Sequence, residues 1–119
     1  MVKKYIPQKG DLVILTFDPQ AGHEHEIPQE RGQKGRRPAL IISNEAFNKA
    51  LGLAIACPIT YTNRDFPFHV KLESKNLTGF IMTEQIKSID YNARGIKFVE
   101  KIDQQILNQV LGITKSVIF

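Results

Sequence analysis

The chain has 119 residues, 16 Lys and Arg against 12 Asp and Glu (formal net charge +4), with 42% hydrophobic and 24% charged residues. A chain of that length buries roughly two-thirds of its extended surface around one core, and the composition argues against a disordered tail protein. A single cysteine, Cys57, excludes an internal disulfide and a thiolate zinc finger, and the longest apolar run, Leu53 to Ile59, falls far short of the ~20 residues that span a bilayer. The expectation is one domain over residues 1–119 in a reducing compartment, off the membrane, with a mild preference for an anionic partner. The start, Met1-Val2-Lys3-Lys4-Tyr5-Ile6-Pro7, has positive charge without an apolar stretch behind it, so no secretory signal is expected.

Short β-rich runs separated by turn signals predict strands over Asp11–Phe17, Pro38–Ser43, Leu53–Ile59, Phe68–Leu72, Gly79–Thr83, Ile86–Asp90 and Lys97–Val99. Pro38 can open a strand, where one N–H is dispensable, but would weaken a central one. The run Ala39-Leu40-Ile41-Ile42 behind it is continuous, as in a strand covered on both faces. Ser43 and Asn44 are both suitable N-caps for a helix of about two turns over Glu45–Leu51, stopped by Gly52. A second helix follows Asp103 as its cap, with Ile106, Leu107, Val110, Leu111, Thr114 and Val117 at helical spacing for core packing. Gly112 weakens it by roughly 1 kcal/mol relative to Ala, so the apolar stripe must hold it.

Between the first two strands, Asp18 to Arg37 holds three glycines and two prolines but hardly any apolar residue besides Ile27. A loop this long in a small domain is a functional candidate. Glu24, Glu26 and Glu30 come first and Arg31, Lys34, Arg36 and Arg37 last, so its cations gather at the loop-to-strand junction.

His23-x-His25 beside Glu24 and Glu26 has no third ligand at a recognisable spacing, so no metal and no other cofactor is expected. Cys57 sits in an apolar run and reads as buried and inert. Gly-rich phosphate loops and a nucleophile elbow are absent. What remains is a set of polar residues at strand ends: Arg37 before Pro38, Thr60 after Pro58-Ile59, and Gln85, Lys87 and Arg94 around the strand ending at Asp90. A guanidinium beside a hydroxyl binds phosphate through charge-assisted hydrogen bonds. Phe17, Tyr61, Phe66, Phe68 and Tyr91 are candidate stacking platforms, Tyr61 foremost because it follows Thr60, although core packing is the ordinary fate of Phe.

In order along the chain, Gly10-Asp11, Asp18-Pro19, Gly22-x-Glu24, Arg37-Pro38-Ala39-Leu40-Ile41-Ile42-Ser43, Pro58-Ile59-Thr60 and Gln85-Ile86-Lys87-Ser88-Ile89-Asp90 with Arg94 make a sequence that resembles the MazF/PemK family of toxin–antitoxin ribonucleases. The resemblance runs from about Tyr5 to the final helix. It implies a mainly β fold, an SH3-like barrel related to that of the CcdB toxins, with a short helix and a C-terminal helix. It also implies sequence-specific, metal-independent cleavage of single-stranded mRNA in the cytoplasm, a homodimer, and restraint by a cognate MazE-like antitoxin. By the same resemblance Arg37 and Thr60 are the central catalytic pair, joined by Glu24. His25, Glu26, Arg36, Tyr61, Gln85, Lys87 and Arg94 are the candidate substrate-binding residues. The stretch between Glu24 and Arg37 is several residues longer than in many relatives, which opens the position of Glu24 to Glu26 or His25. Two alternatives stay open on the same fold: a CcdB-like gyrase poison acting without chemistry, and a catalytically silent binding protein.

Overall fold

A computed structural model describes residues 4–16, 35–63 and 65–119. The strands are β1 (Asp11–Thr16), β2 (Arg36–Ile41), β3 (Ala54–Thr60), β4 (His69–Glu73), β5 (Thr78–Met82), β6 (Lys87–Ile89) and β7 (Lys97–Lys101). Helix α1 (Glu45–Leu51) joins β2 to β3, a 3-10 turn (Thr83–Gln85) joins β5 to β6, and α2 (Gln104–Ile118) closes the chain. The sheet is antiparallel, in the spatial order β4-β5-β3-β2-β1-β7, with β6 added beside β3. This half-barrel with one short and one C-terminal helix is the mainly β architecture expected from the sequence. Among the described residues no helix is long and apolar enough to cross a membrane.

Both faces of the central strands are buried, as the unbroken Ala39–Ile42 run predicts. On one face Leu12, Leu40, Cys57, Ile59, Val70, Leu72 and Ile81 pack under Leu107 and Val110 of α2. On the other, Val13, Leu15, Ala39, Ile41, Ala54, Ala56 and Ile89 pack against Tyr91. Asp103 caps α2 by accepting hydrogen bonds from the Gln105 and Ile106 amides at 3.0 and 3.4 Å. The predicted stripe holds through Leu107, Val110 and Thr114 and then runs out, leaving Val117 54% exposed.

Several boundaries differ from expectation. Strand β2 opens at Arg36, not Pro38, and Pro38 sits in mid-strand opposite Ile14. The reason lies in the direction of its missing N–H. Ile42 donates to the Ile55 carbonyl on β3 at 2.9 Å, so by alternation the position of Pro38 also faces β3. Pairing with β3 ends at Ala39, and no ladder bond is lost. Pro58 is accommodated in the same way. Its position faces the edge of β3 that passes from β6 (ending at Ala56) to β5 (beginning at Ile59). Thr83 leaves the predicted strand for the 3-10 turn, and Thr60 is the last residue of β3 rather than the residue after it.

Three polar clusters hold this frame. Asp11, 1% exposed, accepts from the Tyr5 hydroxyl and the Gln8 amide and pairs with Lys101 at 2.6 Å, tying the N-terminal segment to β1 and β7. Loss of the phenol proton beside that carboxylate is opposed by burial first and then by Asp11, so the Tyr5 hydroxyl is held well above the usual tyrosine range. Asn48, fully buried on α1, donates to the Pro7 carbonyl at 2.8 Å and the Ser43 carbonyl at 3.2 Å, and accepts from Ser43 Oγ at 2.5 Å. Ser43 thus serves the core while Asn44 occupies the N-cap position without a side-chain cap bond, and Gly52 terminates the helix at φ 71°. The outer strands β4 and β7 are linked by Glu100, which accepts from Ser74 Oγ and from the Asn76 amide at the β4–β5 turn at 2.5 and 2.9 Å.

Candidate functional site

The site grows out of the change of partner along β3. Residues Ala54–Pro58 pair with β6 or β2, whereas Ile59 and Thr60 pair with Ile81 and Phe80 of β5. The β2–β3 register runs Ile41↔Ala56, Leu40↔Cys57, Ala39↔Pro58. Beyond that last pair the two strands are no longer bonded to each other, and Arg37 and Thr60 follow two residues further along each, on the same face as Ala39 and Pro58. Arg37 is in turn paired with Leu15 of β1, and Arg36 with Thr16. That is the face of the smaller core cluster, and Arg37 and Thr60 lie at its open rim.

Local bonds fix the hydroxyl. Thr60 Oγ1 accepts from the Thr62 amide at 3.2 Å, which leaves the hydroxyl proton for donation elsewhere. Gly79 makes the approach of β5 possible: a Cβ at that position would stand 2.7 Å from the Thr60 carbonyl oxygen and 3.0 Å from Ile59 Cγ2. Only glycine fits there, and it adopts φ 152°.

The other predicted residues distribute as follows. Arg94 lies in the turn after Tyr91 and is anchored to the end of β1: its carbonyl accepts from the Thr16 amide at 2.8 Å, and its guanidinium donates to the Thr16 carbonyl at 3.4 Å. That places it beside the Arg36 end of β2. Tyr61 is 65% exposed directly after Thr60. Gln85 ends the 3-10 turn that fills the gap between β5 and β6. Its neighbour Glu84 is bound by His69 Nε2 at 3.1 Å, and the His69 side chain, 4% exposed, lies against the edge of Phe66 with ring centroids 5.1 Å apart. Lys87 stands apart from the pair, opposite Ala56 and thus four residues from Thr60 along β3, roughly 13 Å. Glu24, His25 and Glu26, with His23 and Phe17, lie outside the described residues.

Two expectations about aromatics fail. Tyr91 is no platform: it is 2% exposed, and its hydroxyl donates to the Asn48 carbonyl at 2.7 Å, so its ring completes the core. Conversely, none of the described phenylalanines is buried: Phe47, Phe66, Phe68, Phe98 and Phe119 are exposed and Phe80 is half-buried. Apart from Tyr91, both core clusters are filled by non-aromatic, mostly aliphatic residues, and the described phenylalanine rings lie outside them. Cys57 is buried as expected. Burial first, then the negative charge of Glu84, push its thiol up to about 12, which keeps it protonated and unreactive. Among the described residues no group of three His, Cys, Asp or Glu side chains is placed to hold a metal ion.

Fold and sequence have known counterparts. In shape the chain is similar to a crystal structure of MazE–MazF from Deinococcus radiodurans, with a TM-score of 0.81 and 36% identity over 96% of each chain. In sequence it is 36% identical over 95 residues to the endoribonuclease toxin MazF of Escherichia coli strain K12, covering 80% of this chain and 78% of that one. It is 32% identical over 118 residues to the endoribonuclease toxin ChpB of the same organism, covering 93% of each. The chain belongs to the family described as the PemK-like, MazF-like toxins of type II toxin–antitoxin systems, whose profile matches residues 8–117.

Proposed function

We propose that this toxin-family chain is an endoribonuclease that cuts single-stranded mRNA at defined sequences, without metal, in the cytoplasm, and that a cognate antitoxin restrains it. The observation that carries this reading is that Arg37 and Thr60 stand on one face, each two residues beyond the last β2–β3 pair, in a chain whose relatives are named endoribonucleases. RNA supplies its own nucleophile. The 2′-hydroxyl gives up its proton to a base and attacks the adjacent phosphorus, the bond to the 5′-oxygen breaks, and that oxygen takes a proton. The products are a 2′,3′-cyclic phosphate and a 5′-hydroxyl.

Charge accumulates on the non-bridging oxygens as phosphorus becomes five-coordinate. Arg37 offers a planar, permanently charged fork to those oxygens, a role typically worth ~3–4 kcal/mol. Thr60 donates its remaining proton to a non-bridging oxygen or holds the 2′-hydroxyl in line. Arg36, Arg94 and Gln85 bind the flanking strand, Tyr61 stacks a base beside the cut, and Lys87 takes a more distant phosphate. Arginine is a poor base because its pKa exceeds ~12, so the base is assigned to the first loop, to Glu24 or its neighbours His23, His25 and Glu26.

Binding is expected to weaken with salt at about −0.7 in log–log slope per phosphate, so three or four contacts give about −2 to −3. The antitoxin would lay an acidic, extended segment on the same cations and exclude RNA. A homodimer, with Ser116–Phe119 exposed and available to its interface, would carry two such grooves.

The test is incubation of purified protein with a long unstructured RNA in chelator, followed by 5′-end mapping. Reproducible cuts are expected, and Arg37→Ala should lower the rate at least about a hundredfold with an unchanged melting temperature. A wild-type protein that leaves the RNA intact, or an Arg37→Ala variant that cuts normally, would refute the reading.

A further inference from the structure

The sheet face that carries Arg37 and Thr60 continues across the rest of the half-barrel. Thr60 pairs with Phe80 on β5, and Phe80 pairs with Lys71 on β4. Thr60, Phe80 and Lys71 therefore form one transverse row on one face across three adjacent strands, and the pair Leu15 and Arg37 lies on the same face of the neighbouring strands. We propose that Phe80 and Lys71 extend the RNA track beyond the cutting pair, Phe80 stacking a base next to the scissile phosphate and Lys71 holding a phosphate farther along the strand.

Phe80 is out of place for a structural residue. The β4–β5 hairpin alternates strictly: Val70, Leu72 and Ile81 point into the core, while Lys71, Glu73 and Thr78 are exposed on the other face. Phe80 belongs to the second set by its pairing with Lys71, and it is a member of neither core cluster. This large ring on the outer face of a hairpin stands one strand spacing (~4.8 Å) from Thr60, within stacking reach of a base flanking a phosphate held there. Every base has a π-face, so a single ring in this place serves any sequence. Gly79 keeps the ring close by allowing β5 to press on Thr60.

Lys71 is two strands from Thr60, roughly 10 Å, too far for the same phosphate but in line for another. Its present partner is Glu73 at 3.6 Å, with both side chains more than two-thirds exposed, and an ion pair of that kind is readily exchanged for a phosphate.

This inference rests on the nuclease reading, and the test separates the two. A 2′-O-methyl RNA carrying the mapped cut sequence is bound but cannot be cut, and its affinity is measured intact and with single abasic positions. Wild-type protein should lose about tenfold at one abasic position beside the cut. Phe80→Leu, which keeps apolar bulk, should bind the intact RNA about tenfold more weakly and lose nothing further at that position. Phe80→Tyr should behave as wild type. Lys71→Gln should reduce the salt slope by about 0.7. Unchanged binding by Phe80→Leu, or equal abasic penalties in it and in wild type, overturns the role of Phe80, and an unchanged slope overturns that of Lys71. If wild-type protein binds the RNA but never cuts its 2′-hydroxyl form, the nuclease reading falls; the abasic scan, run along the bound RNA, then decides the track by itself. If it binds no RNA, both fall.

Discussion

The two ends of β3 are built for opposite purposes. Ala54–Pro58 is flanked by β2 and β6, and its side chains contribute to both core clusters. Ile59 and Thr60 belong to a different pairing, and only Ile59 is buried; Thr60 is half-buried, and the next residue, Tyr61, is 65% exposed. The contrast teaches how a small fold presents polar chemistry at a fixed place. A strand immobilised over most of its length carries its last residue to an open edge, so position comes from the buried end and access from the free one.

Breaking the buried end should cost the most. Asn48→Leu leaves the Pro7 carbonyl and the Ser43 hydroxyl without their partner, at about 3 kcal/mol for groups this enclosed, or about 10 °C in melting temperature. Cutting by the fraction still folded should be unchanged. Thermal unfolding followed by circular dichroism, with cleavage assayed at 20 °C, checks both halves of that expectation.

The junction between the two ends is tested by Gly79→Ala. The added methyl meets backbone, the Thr60 carbonyl, rather than a flexible side chain, so β5 must shift and Thr60 with it. RNA cutting should fall about tenfold, equivalent to ~1.4 kcal/mol, together with a destabilisation of about 1–2 kcal/mol. Loss of stability with full activity would show that Thr60 does not depend on this contact.

Smaller effects sharpen the contrast away from the site. The Ser74 hydroxyl, followed by the Asn76 amide, holds the Glu100 carboxyl below the usual glutamate range. A carboxyl whose pKa is lower in the folded than in the unfolded chain contributes stability that is fully present above the unfolded value. That contribution is lost as pH falls from the ordinary glutamate range through the folded value. Glu100→Gln should flatten the dependence of stability on pH in that acid window and leave cutting at neutral pH unaltered, as denaturant titrations at several pH values would reveal. Smallest of all, Cys57 should resist thiol reagents at pH 8 in the folded protein and react only on unfolding.

Much of this frame was legible beforehand, for physical reasons that are local. The caps Asp103 and Gly52 mark helix ends because one supplies an acceptor for orphan amides and the other tolerates positive φ. The unbroken apolar run Ala39–Ile42 marks a strand covered on both faces. Arg37 and Thr60 stood out as polar residues at strand ends. The fate of the rings was not legible, because burial depends on what the fold sets opposite each one: the Tyr91 hydroxyl meets the Asn48 carbonyl, whereas Phe80 is paired with exposed Lys71. Pro38 was misplaced for a similar reason: proline is excluded from a central strand only where its missing N–H would have had a partner, and that depends on where β3 turns away.

The sequence by itself determined the elements, their caps, the two-sided burial of β2, the inertness of Cys57 and the family to which the chain belongs. Each of these depends on neighbours a few residues away or on the order of motifs along the chain. The tertiary structure alone decided the change of partner at Pro58, the close approach at Gly79 and the transverse row from Thr60 through Phe80 to Lys71. These are registers between segments distant in sequence, set by which hydrogen-bonding edges remain open once the core has formed.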